Sequence, residues 1–119
     1  MKKIIIIFVG LLSLMTTSCV QKIYKRTVHF IVDVFKVDNL KSIGIRGEKP
    51  LDWNYNTEMK VIKKDSLYEA TVTFETGYQF VAMKFTVNGD YELKEQPNRK
   101  VVFATDGVTN YKATFDVVK

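Results

Sequence analysis

The chain has 119 residues, 46% of them hydrophobic and 13% aromatic, with 18 Lys and Arg against 13 Asp and Glu. That length holds one domain, and the aromatic content argues against disorder. A single cysteine excludes an internal disulfide framework and a Cys-rich zinc site, and a single histidine makes the common His-based catalytic arrangements hard to build.

Lys2 and Lys3 open the chain, and residues 4–12 form an apolar run interrupted only by Gly10. This run is shorter than the roughly 20 residues that span a bilayer, so it reads as the core of a signal peptide. It closes on Thr16, Thr17 and Ser18, followed by the only cysteine, Cys19. The order resembles the bacterial lipoprotein signal, although Thr16 stands where that pattern prefers Leu. The resemblance implies cleavage before Cys19, diacylation of its sulfur, and an exported protein anchored in the cell envelope, on the outer membrane. The alternative is an ordinary secretory signal that leaves Cys19 as a free thiol, an oxidation liability outside the cell. Residues 1–18 are therefore expected to be signal, 19–26 the lipidated cysteine and its tether, and 27–119 the folded domain. Loss of Lys2 and Lys3 lowers the formal charge from +5 to +3, and export further disfavours a nucleic-acid partner. Lys22, Lys25 and Arg26 read as a solvated spacer, with contact to anionic headgroups as the alternative.

From Thr27 onward the apolar period is two, the mark of half-buried antiparallel strands. Val28, Phe30, Val32 and Val34 share one face of residues 27–37, and Ile43 and Ile45 repeat the spacing in 42–46. Residues 59–63 form a short strand that turns at Lys64-Asp65-Ser66, and 67–75 alternate Tyr68, Ala70, Val72 and Phe74 with polar residues. Thr76-Gly77 ends that strand and 78–87 begin the next. Asn88-Gly89 then signals a hairpin, because both central positions of a type I′ turn require positive φ. Residues 90–93, 99–104 and 109–118 complete about eight strands, without a convincing helix, the pattern of an all-β, antiparallel, two-sheet Ig-like sandwich. Residues 47–57 lack strand character and form a loop carrying Trp53, Asn54, Tyr55 and Asn56.

No Gly-rich phosphate loop, HExxH or GxSxG is present, and most carboxylates fall on solvent faces or in turns. His29 shares a strand face with Thr27, Ile31 and Asp33, the ordinary place for a packed or surface histidine. The expectation is a protein without catalytic residues, metal or cofactor. Trp53 and Tyr55 flanked by amides suit a sugar, whose rings present flat C–H patches beside hydroxyls. Equally, Trp53 folds inward to plug one end of the sandwich.

Four pieces occur in order: Gly47-Glu48-Lys49-Pro50-Leu51-Asp52-Trp53-Asn54; Tyr68-Glu69-Ala70-Thr71-Val72-Thr73-Phe74; Met83-Lys84-Phe85-Thr86-Val87-Asn88-Gly89; and Asp90-Tyr91-Glu92 followed by Gln96-Pro97-Asn98-Arg99. Together they resemble the starch-binding domains of carbohydrate-binding module family 20 over almost the whole chain after Cys19. The resemblance implies a non-catalytic module that stacks adjacent glucose units on Trp53 and Tyr91 while Lys84 and Asn98 bond hydroxyls. Two departures stand out: Tyr91 replaces a Trp, and the spacer from Tyr91 to Pro97 is longer than the family pattern. Read without the family, Lys84 marks an exposed strand face, Tyr91 makes a cross-strand pair, and Asn98 fixes a turn. The leading expectation is a lipid-anchored α-glucan binder. The alternative is an interaction module for another envelope protein, working through a sheet face or edge strand.

Overall fold

Alternating apolar residues drive the chain into two sheets, because each strand has one face to remove from water. The computed structural model describes residues 22–118, and the expected signal segment and Cys19 lie outside them. Nine strands form among the described residues: β1 (Tyr24–Asp33), β2 (Ile43–Gly47), β3 (Thr57–Glu58), β4 (Lys60–Lys63), β5 (Leu67–Thr76), β6 (Phe80–Val87), β7 (Asp90–Tyr91), β8 (Arg99–Val102) and β9 (Thr109–Thr114). One sheet has the order β4-β5-β1-β9; in the other, the order is β3-β2-β6-β7, with β8 also paired to β6. All pairings are antiparallel except β1 with β9. The expected all-β, two-sheet architecture is present.

The core is the set of inward positions. Val28, Phe30 and Val32 of β1 are fully buried, as are Ile45, Met83, Phe85 and Val101 from the opposite sheet. Phe30 sits at the centre, edge-on to Phe74 at 6.3 Å, Phe85 at 6.4 Å and Tyr111 at 6.0 Å between ring centroids. Such edge-to-face contacts add to burial, which for each side chain of this size supplies about 1.5–3 kcal/mol.

Strand ends differ from the sequence expectation for local reasons. β1 starts at Tyr24, three residues before the expected domain boundary, because Tyr24, Lys25 and Arg26 pair with Thr76, Glu75 and Phe74. It stops at Asp33 rather than Val37, where the Asp33 carboxylate accepts the Phe35 N–H at 3.0 Å and opens a turn. β9 stops at Thr114 because Asp116 adopts a φ of 62°. β3, a two-residue strand beside Met59, escapes the period-two signal because it is too short to carry one. At the hairpin, Asn88 and Gly89 take φ of 53° and 84°, as a type I′ turn requires. The Asn88 side chain also accepts N–H groups from Lys41 and Ser42, so this turn holds a second loop in place.

Candidate functional site

The register of the five-stranded sheet places Gly44, Thr86 and Tyr91 on one transverse line of its outer face, with Arg46 and Lys84 on the next line. The loop 47–57 folds back over this face. Leu51 is buried and anchors the loop at one end, while Asn56 anchors the other. The Asn56 side-chain oxygen accepts from Arg46 Nε at 2.6 Å and from Thr86 Oγ1 at 2.9 Å. Only glycine admits this seat, since a Cβ on Gly44 would lie 2.7 Å from Thr86 Oγ1 and 2.8 Å from Asn56 Cγ.

Between these anchors the Trp53 backbone is held from the sheet. Its carbonyl accepts Arg46 Nη1 at 3.4 Å and also accepts the Tyr91 hydroxyl. The Arg46 guanidinium lies over the Tyr91 ring, 5.0 Å from its centroid, a cation–π contact that fixes the ring orientation. Trp53 and Tyr91 are each half-buried, so neither reading of Trp53 as a free platform or an internal plug describes its position. Tyr55 projects from the same loop and is 74% exposed. Asp52 accepts the Asn54 N–H at 2.6 Å, shaping the turn that carries Trp53. Trp53, Asn54, Asp52 and Gly47 line a hollow of about 350 Å³.

The other two expected sugar contacts sit elsewhere. Lys84 is buried, and its ammonium donates to the Leu93 and Gln96 carbonyls, both at 3.0 Å. It therefore does not mark an exposed strand face. The cover is a turn over residues 93–96, with Leu93 at φ 49° and Glu95 at φ 65°, pinned by the Leu93 N–H to Asp116 at 2.7 Å. This turn is the long spacer noted in the sequence. Asn98 is exposed on its far side, lining a separate hollow of about 260 Å³ with Pro97, Lys100 and Tyr111. The fold thus brings Trp53 and Tyr91 together, buries Lys84 beneath protein carbonyls, and sets Asn98 in another hollow.

Two features are not apparent from the sequence reading. Arg46 joins Trp53 to Tyr91; its only signal is its outward position next to the loop. Glu92 and Arg99, residues of the quoted motif, form a buried bidentate pair with both N–O distances at 2.7 Å. Arg99 also donates to the Thr114 and Val117 carbonyls, and the Glu92 carboxylate accepts the Phe85 and Asp116 N–H groups. Burial alone disfavours the Arg99 charge, but hydrogen bonds and Coulomb attraction from Glu92, joined by Tyr111, outweigh it and raise its pKa above the usual guanidinium value. His29 lies on the solvent face of the four-stranded sheet, 3.5 Å from the Glu69 carboxylate.

No family model matches this chain, and no curated protein matches it.

Proposed function

We propose that this protein is a non-catalytic glycan-binding module of the α-glucan type, carried on an exported, lipid-anchored chain. One observation supports it most: the Tyr91 hydroxyl meets the Trp53 carbonyl across 38 residues of sequence. The two aromatic residues picked out by their chemistry thereby become neighbours on one open sheet face. Trp53, Tyr91 and the exposed Tyr55 supply ring area for sugar C–H faces, and Asn54, Asp52 and Arg46 supply polar groups around them. Lys84 drops out of the ligand set, its ammonium serving protein carbonyls. A shallow, wet surface of this kind binds on the order of 10⁻⁴ M as a single site, since it buries little area.

Affinity electrophoresis through amylose, glycogen and pullulan gels tests this reading, with Trp53→Ala as control. Retardation of the wild type and its loss in Trp53→Ala are expected. Free migration of the folded wild type in all three gels would overturn the proposal. A second reading has its own observation: edge strand β4 is exposed along its whole length, with Val61 and Ile62 at 59% and 45%. Such an edge suits an extended segment of an envelope protein. An Ile62→Lys change that abolishes capture of a defined partner, with gel retardation intact, would favour it.

A further inference from the structure

The end of the sandwich where β1 begins concentrates exposed apolar side chains. Ile23 is 69% exposed, Tyr24 49%, Tyr78 66%, Phe80 44% and Val102 61%. Strand pairing assembles them, with Tyr24 opposite Thr76 and Phe80 opposite Val102. The Tyr78 N–H is bonded to Thr76 Oγ1 at 3.0 Å, and the Tyr78 and Phe80 rings lie 6.4 Å apart. Lys100 lies over Phe80, its ammonium 4.4 Å from the ring centroid, and the Arg26 guanidinium is 5.2 Å from the Tyr24 ring. Aromatic rings with cations snorkelling beside them are the chemistry of a bilayer interface. Exposed apolar side chains gathered at one end of a domain in this way call for an occupant.

The chain itself indicates which occupant. Tyr24 lies only five positions after Cys19, a reach of at most about 18 Å when fully extended. An acyl chain on Cys19 would therefore hold this end of the domain, and no other, against the membrane. We propose that Ile23, Tyr24, Tyr78, Phe80 and Val102 form a membrane-contact face that seats the domain on the lipid surface. The inference rests on Cys19 as the lipid-bearing residue. Charge plays the smaller part: Lys22, Arg26 and Lys100 lie near the face, and Lys25 faces Glu75 across the strand pair. On neutral lipid apolar insertion carries the contact and salt leaves it unchanged, whereas anionic lipid would add attraction through these cations.

The test uses the full chain, reconstituted after export into phosphatidylcholine vesicles containing a lipid nitroxide at shallow acyl depth. A dye is placed by Gln79→Cys beside the face, or by Lys64→Cys at the opposite end. At least three-fold stronger quenching at position 79 than at 64 is expected, unchanged by salt. Tyr78→Ser with Phe80→Ser should bring position 79 down to the level of 64, without loss of folding because both rings are exposed. Equal quenching at the two positions overturns the face. Dimers in detergent that the double variant dissolves, with position 79 unquenched by lipid, assign the face to a second copy and also overturn it. Dye uptake by the wild-type chain, whose only cysteine is Cys19, overturns the anchor and the face with it.

Discussion

Replacing Glu92 by Gln should destabilise the protein by about 3–4 kcal/mol. Glu92 and Arg99 side chains are 0% and 4% exposed. One carboxylate oxygen accepts Arg99 Nε at 2.7 Å and the Phe85 N–H at 2.8 Å; the other accepts Arg99 Nη2 at 2.7 Å and the Asp116 N–H at 3.1 Å. Whichever way the Gln amide is turned, its NH₂ confronts two donors. One of these belongs to a charged group, where a lost bond costs about 1.5–3 kcal/mol, and the other is a buried N–H left unpaired at about 1–3 kcal/mol. The arginine also loses its counter-charge, and breaking a buried pair costs about 3–5 kcal/mol. Such a loss is a large share of the 5–15 kcal/mol typical of a domain. Urea unfolding followed by circular dichroism measures it as a fall in midpoint at unchanged slope. Arg99 keeps a pKa above its ordinary value in the folded state, so its stabilising charge is fully present below the unfolded value and is lost only as pH rises through the folded one. The cost of Glu92→Gln should therefore stay level between about pH 7 and 10. A midpoint shift worth less than about 1 kcal/mol would refute the argument that this pair ties β6, β7, β8 and the C-terminal turn together.

Gly44→Ala inserts a Cβ 2.7 Å from Thr86 Oγ1 and displaces Asn56, which should cost about 1–3 kcal/mol. Because Trp53 is the only tryptophan, its emission should shift to the red in the same variant as the loop loosens; an unshifted spectrum with full stability would contradict the seating of Asn56. Tyr91→Phe removes the hydroxyl from the Trp53 carbonyl and should cost about 1 kcal/mol by thermal unfolding, with weaker retardation in amylose gels. Lys84→Met removes the ammonium from the Gln96 carbonyl, while the Leu93 carbonyl keeps the Gln96 N–H, and should lower stability by about 1–3 kcal/mol while gel retardation persists. Lost retardation at unchanged stability would return Lys84 to the ligand set.

The strand pattern was legible because burial on one face leaves a period-two trace. Val28, Phe30 and Val32, or Val72 and Phe74, report directly which way each strand faces. The Asn88-Gly89 turn was legible because its backbone angles restrict the residues that adopt them. The site was legible only in part. Trp53 and Tyr91 announce themselves as aromatics near turns, yet what positions them is Arg46, whose type and spacing say nothing of a partner seven residues away. Glu92 and Arg99 show as letters of a motif, but their burial follows from β7 and β8 both pairing with β6, a long-range fact. Lys84 alternates onto the outer face as its spacing requires; what buries it is a turn from a different segment.

That turn connects the sequence departure to the chemistry of the surface. The starch-binding pattern that the sequence resembles has two residues between the Glu and the Pro, whereas this chain has Leu93, Lys94, Glu95 and Gln96. Two non-glycine residues of the four take positive φ, a conformation costing of order 1 kcal/mol or more each, and the turn persists because Lys84, Asp116 and the buried Leu93 side chain over-determine it. The extra length thus turns an ammonium that would face solvent into an internal brace. It also moves Asn98 across the turn into a different hollow from the one beneath Trp53. A glycan bound on Trp53 and Tyr91, as proposed, would then meet Arg46, Asn54 and Asp52 in place of a lysine and the asparagine after the proline. Under the proposed function recognition would then rest on the loop 47–57, so loosening its anchors, Leu51 and Asn56, should weaken binding along with changes to the residues that touch the sugar.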